Sequence, residues 1–273
     1  MAPCTGGSMK LQDVPASQGV AWVRQAFRVF LRQPLGFTAL FAACFFAFVV
    51  LRLIPLVGSL AILVCAPVGS LVFMVATRRV DAGQPAMPGS FAEIAGSGRP
   101  RLLGLLKLGL VYLVAAVVIY LVSAAIDGGA LAAFFDSMRD GKQKPEQAAA
   151  RLADPRLQGG VFVWLLLVGL LSVPFWHAPA LVLWGGQGWA KSLFSSTVAV
   201  WRNRGAFMMY GLAWVAVGLA VIVASGLIVA LFGPQLFAFV GTPLTLVLST
   251  VFYASLWFTF ADCFAAGPLQ ETS

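Results

Sequence analysis

Long apolar runs recur along the chain at about 35–53, 56–76, 102–126, 161–184, 206–232 and 236–261, and almost no charge falls inside them. Each is close to the roughly 20 residues with which a helix crosses a hydrocarbon core of about 30 Å. The pattern predicts an all-α integral membrane fold with six transmembrane helices. Two shorter segments are patterned differently. In 17–33 (SQGVAWVRQAFRVFLRQ), Arg24, Arg28 and Arg32 recur every four residues, with Trp22, Val23, Phe27, Phe30 and Leu31 on the apolar side. Residues 188–201 carry a similar pattern. Both predict amphipathic helices in the cytoplasmic interface, with the arginines of the first reaching lipid phosphates.

The connectors divide the chain. Residues 1–34 read as a cytoplasmic tail and interfacial helix, 35–262 as the transmembrane domain, and 263–273 as a second cytoplasmic tail. Pro34 turns the chain into the bilayer, and Pro55 makes a tight outer turn. Pro67 is expected to kink the second span, and Gly233-Pro234 closes the last hairpin. Residues 77–101 form a polar connector, while 127–160 form the longest polar segment, a periplasmic loop with five charges of each sign. Within that loop Pro145 followed by EQAAARLA is a helix-start pattern. Residues 17–76 and 188–262 share a layout of interfacial helix and hairpin, with Arg32 matching Arg202 and Phe37 matching Phe207. A parallel duplication and two independent solutions to the same problem both fit.

Composition sharpens the class. Apolar residues make up 60% and charged ones 10%, against about 25% charged in an ordinary soluble domain. The net charge of +8 reads as loop cations facing an anionic leaflet rather than as a nucleic-acid surface. With both termini inside, the cytoplasmic segments hold 12 lysines and arginines and the outer ones 6, which the positive-inside rule favours. Cys4, Cys44, Cys65 and Cys263 avoid the long loop and match no zinc pattern, so they read as small buried residues without structural disulfides. No cleavable signal peptide is evident. Met9-Lys10 resembles a start site, and translation from Met9 is an expectation that N-terminal mass spectrometry decides.

Candidate chemistry is sparse. His177, the single histidine, lies inside the fourth run between Pro174 and Pro179, which together form a candidate hinge. It is either a functional intramembrane group or a satisfied ring bonded to a carbonyl freed by proline. Ser172 sits five residues away on another helix face, so a serine–histidine dyad needs Ser249 or Ser255 from the last span. That span carries Thr242, Thr245, Ser249, Ser255, Thr259 and Asp262 within an arc of about 160°, a stripe for helix packing or for a substrate path. Ala216, Ala220 and Ala224 offer a small-residue seam. Arg24, Arg28, Arg32, Arg202, Asn203 and Arg204 are candidate headgroup-binding residues. No phosphate loop, HExxH, CxxC or paired intramembrane carboxylates occur, so neither a metal nor a cofactor is expected.

Four stretches, GVAWVRQAFRVFLRQP, RRVDAGQPA, WHAPALVLW and KSLFSSTVAVWRN, resemble an uncharacterised family of proteobacterial multi-pass inner-membrane proteins. More distantly the chain is similar to the membrane domains attached to some glycerophosphodiester phosphodiesterases, without their catalytic domain. The resemblance implies six spans and inner-membrane residence, and it brings no catalytic residues. The expectation is a non-enzymatic inner-membrane protein, organising or lipid-associated. Its partners are membrane lipids, a second copy or other membrane proteins, and not nucleic acid. The alternative is a small-molecule carrier with a path beside His177 and the sixth span.

Overall fold

In hydrocarbon no water is available to bond N–H and C=O groups, so a spanning segment satisfies them internally as a helix. The computed structural model follows this rule and describes residues 9–139 and 153–266. In chain order the helices are α1 (Gln18–Arg32), α2 (Pro34–Arg52), α3 (Val57–Asp81), α4 (Gly89–Ala95), α5 (Arg99–Asp127), α6 (Ala130–Arg139), α7 (Pro155–Phe175), α8 (Ala178–Leu183), α9 (Trp189–Arg202), α10 (Arg204–Phe232) and α11 (Pro234–Cys263). Six candidate spans among the described residues are long and apolar enough to cross a membrane: α2, α3, α5, α7 continued by α8, α10 and α11. Proline stands in the first turn of α2, α5, α7, α8 and α11, where its missing N–H has no intrahelical acceptor in any case.

The expected spans are found, but their surroundings differ in four respects. The fold is not purely helical: Met9–Leu11 (β1) pairs antiparallel with Phe264–Ala266 (β2), Met9 opposite Ala266. Three residues are too few for alternation to betray a strand. This pairing also makes 264–266 part of the folded cap rather than a free tail. The connector 77–101 is largely helical, because α3 runs on to Asp81, α4 lies within it and α5 begins at Arg99. The fourth span is broken at Trp176–His177, between the two prolines. The small-residue seam faces outward, since Ala216, Ala220 and Ala224 are all exposed on α10. The long loop contributes α6, and its helix start at Pro145 lies outside the described residues.

Close approaches explain why several glycines sit where they do. At Gly109 an added Cβ would lie 2.1 Å from the Val64 carbonyl oxygen, so α3 and α5 touch backbone to side-chain-free backbone. Gly19 plays the same part between α1 and α10, its missing Cβ 2.1 Å from the Ala206 oxygen. Consequently α1 does not lie alone on a lipid surface. Its apolar face, Trp22, Val23, Ala26, Val29 and Phe30, is buried against α10 and α11.

The alternating direction of the spans gathers α1, α4, α8, α9 and the two-stranded sheet at one end, here called the cap. The 52–57 turn, α6 and the 232–234 turn lie at the other.

Candidate functional site

The cap is where the polar chemistry collects, and it is built around an amide. Asn203 separates α9 from α10 and is only 3% exposed. Its Oδ1 accepts from the Val14 N–H (2.8 Å), and its Nδ2 donates to the carbonyls of Gln12 and Ala199 (both 3.1 Å). The Gln12 N–H donates in turn to the Cys263 carbonyl (2.9 Å). One side chain thereby holds the N-terminal segment, the α9–α10 elbow and the end of α11 together. This corrects the headgroup role expected of Asn203: its polar atoms are spent inside the protein. Gln33 serves the equivalent elbow between α1 and α2, donating to the Gln84 carbonyl and accepting from the Ala86 N–H (both 3.2 Å).

Asp262 sits beside this knot. Its Oδ2 accepts from Gln18 Nε2 (2.8 Å) and from Trp22 Nε1 (2.7 Å). A carboxylate at the end of a span is thus a latch for α1, with two donors to offset its desolvation.

His177 is fully buried at the break between α7 and α8. Its backbone N–H donates to Ser196 Oγ (3.0 Å), which itself donates to the Val173 carbonyl (2.9 Å). The hydroxyl of α9 therefore bridges the His177 N–H and the Val173 carbonyl, a pair four residues apart that a continuous helix would bond directly, and ties the break to α9. The ring Nε2 lies 3.2 Å from Thr259 Oγ1. That hydroxyl already donates to the Leu256 carbonyl (2.8 Å) and accepts from Trp176 Nε1 (3.2 Å), so the ring contributes the proton and its Nε2–H tautomer is selected. Nδ1 has no partner, and the ring is enclosed by Phe207, Phe260 and Phe264.

The hydroxyl stripe of the last span divides. Ser255 and Thr259 are buried, and Ser255 Oγ lies 2.6 Å from the Tyr210 hydroxyl of α10. Ser249 is half-buried, whereas Thr242 and Thr245 are exposed; Thr245 satisfies itself on the Gly241 carbonyl (2.9 Å). Arc position alone does not distinguish them, because the depth at which neighbouring helices cover α11 changes along its length. Ser172 is likewise self-satisfied, donating to the Gly169 carbonyl (2.6 Å).

The arginines sort by partner. Arg32 pairs with Asp81 (3.3 Å) across an exposed gap. Arg202 pairs with Asp13 through two bonds, Nη2 to Oδ2 at 2.6 Å, and that guanidinium holds the Asp13 carboxyl below its ordinary value while its own is raised. Arg204 stands 5.9 Å from the Trp201 ring centroid. Arg24 and Arg28 are exposed and have no acidic partner among the described residues.

A protein of Burkholderia thailandensis named as a probable inner membrane protein is 31% identical over 258 residues, which is 94% of this chain and 94% of that one. The chain belongs to this inner-membrane protein family. No family model matches it, and no solved structure does. The relative accords with six apolar helices in a multi-pass inner-membrane protein.

In this inner-membrane protein the cap also contains a group that sequence reasoning missed. Glu93 of α4 accepts from Arg78 Nη2 (2.6 Å) and from Trp184 Nε1 (3.0 Å), while the Arg78 guanidinium lies 5.0 Å over the Trp184 ring. Glu93 is one of two acids in the 77–101 connector, a usable but faint signal. Nothing local marks Gln18, Ser196 or Tyr210, whose partners lie 19–244 residues away along the chain.

Proposed function

We propose that this is a non-enzymatic, lipid-associated inner-membrane protein whose cap is a rigid cationic platform on the cytoplasmic surface, with both termini on that side. It acts by organising lipid or partner proteins there, a second copy of the chain included. The carrying observation is that Arg24 and Arg28 stand exposed one turn apart without acidic partners, on a helix whose opposite face is clamped by Gly19, Trp22 and Asp262. A clamped helix presents its cations without the ordering cost of a free amphipathic segment. Each such cation near an anionic leaflet contributes roughly 1 kcal/mol, screened by salt. The excess of lysine and arginine at the cap end supports the orientation. The carrier reading finds no support at His177, whose ring is enclosed and whose backbone is tied to α9 through Ser196.

The test uses the full chain in nanodiscs that contain phosphatidylglycerol or only phosphatidylcholine. Native mass spectrometry is expected to show anionic lipid retained on the wild type and reduced in R24A/R28A. Equal retention in both proteins refutes the lipid role. Alkaline phosphatase fused after Ser273 is expected to be inactive and inserted at 140–152 active; the reverse refutes the orientation.

A further inference from the structure

At the end of the bundle remote from the cap, α5, α6 and α7 leave a small recess of about 60 Å³ lined by Ser123, Asp127, Leu131 and Phe135. Tyr120 and Trp164 line both this recess and a larger groove of about 350 Å³ between α3, α5 and α7, whose walls include Tyr112, Ala116, Val168 and Leu171. The recess and the groove adjoin at these two aromatic side chains, and both are mostly apolar. On α5 the lining residues fall at 112, 116, 120, 123 and 127, one stripe with helical spacing, about 22 Å long at 1.5 Å per residue. That exceeds the roughly 15 Å half-thickness of a hydrocarbon core. The groove lies toward the bilayer middle, and the recess coincides with the end of the span.

Two polar groups line the recess. Asp127 is 3% exposed, and its carboxylate accepts from the Gly129 and Leu131 N–H groups (2.7 and 3.0 Å), which fixes it at the start of α6. Ser123 is 2% exposed and its Oγ has no hydrogen-bond partner. Other buried hydroxyls here donate to a carbonyl four residues back, as Thr77 does to Phe73 and Ser90 to Ala86. A buried, unpartnered hydroxyl costs stability unless a ligand or a water completes it. The rim of the groove, Val117 and Tyr120, is exposed, so entry is lateral, from the surrounding lipid.

We propose that the groove holds one acyl chain of a phospholipid from the leaflet opposite the cap, its ester carbonyl reaching the adjoining recess and accepting from the Ser123 hydroxyl. An apolar groove of this volume falls within the range of small-molecule sites, its rim opens to lipid, and the unpartnered Ser123 hydroxyl in the adjoining recess is a donor for which an ester carbonyl is the matching acceptor. The site is separate from the cationic platform and does not depend on its role.

The test reconstitutes the full chain with phosphatidylethanolamine bearing a diazirine on one acyl chain, irradiates it, and maps adducts by mass spectrometry. Adducts on the groove walls are expected to exceed those on the lipid-facing residues Ile222 and Val223 of α10 by about tenfold. A116W, which fills the groove, is expected to remove that excess, and S123A to lower it. V168F is the substitute if A116W does not fold. Groove labelling no greater than on α10, or an excess that survives a folded groove-filling variant, overturns the proposal and leaves Ser123 to water.

Discussion

Replacing Asn203 with alanine removes the amide that fastens the N-terminal segment to the bundle. Four bonds disappear, a long one to Cys263 Sγ (3.5 Å) among them, but the Ala199 carbonyl keeps its bond from the backbone N–H at position 203 (3.1 Å). The Val14 N–H and the Gln12 carbonyl are left without partners. An unpaired buried group costs about 1–3 kcal/mol. Gln12 is exposed and Val14 half-buried, so water reaches both and the low end applies, roughly 2 kcal/mol in all. Such a loss raises the population of the detached state by a factor of about 30. Hydrogen exchange read by mass spectrometry is the assay: amides of residues 9–14 should exchange about thirtyfold faster, while the interiors of α3 and α5 stay unchanged. Exchange that rises less than about threefold at 9–14, or rises equally throughout the bundle, refutes the claim that Asn203 is a local fastener.

The Asp13–Arg202 pair gives the same segment a pH dependence. Hydrogen bonding to Arg202 lowers the Asp13 value below 3.8, so its stabilisation is complete above the unfolded value and is lost as pH falls through the lowered folded one. Exchange at 9–14 should therefore gain an acid-dependent rise that D13N lacks, and identical profiles count against the pair. Gly19→Ala forces a Cβ against the Ala206 oxygen and the Tyr210 nitrogen; overpacking of about 1–3 kcal/mol should lower the melting temperature in detergent. Gly218→Ala, in a helix interior with nothing within 4 Å, should not lower it and should raise it slightly, since alanine is favoured over glycine there. Trp22→Phe keeps most of the ring but deletes the donor to Asp262, and should cost about 1.5–3 kcal/mol by denaturant unfolding. Q18A/W22F measured against each single variant reports whether the two donors act on one carboxylate.

The six spans were legible in the amino-acid order to within a few residues at most ends, from Pro34–Arg52 to Pro234–Cys263. Partition of a long uncharged segment into lipid is a property of that segment alone, so composition and length decide it. The exposure of Arg24, Arg28 and Arg32 on α1 follows from helical period, but Leu31, expected on the apolar side, is 70% exposed. Legibility failed wherever the answer depended on a second element. Asn203 read as one member of a cationic triplet, and only the arrival of Gln12 and Val14 made it a buried fastener. The Ala216–Ala220–Ala224 seam needed a partner helix on that side, and the fold put α11 elsewhere. His177 read either as a functional group or as a ring satisfied by a carbonyl, and only the fold supplied its neighbours Thr259, Phe207, Phe260 and Phe264; the recess at Ser123 has no signature in a run of apolar residues. Hydrophobicity acts on each segment by itself, whereas a hydrogen bond or a cavity exists only when groups distant along the chain are brought within a few ångströms, and that was decided by how the helices pack.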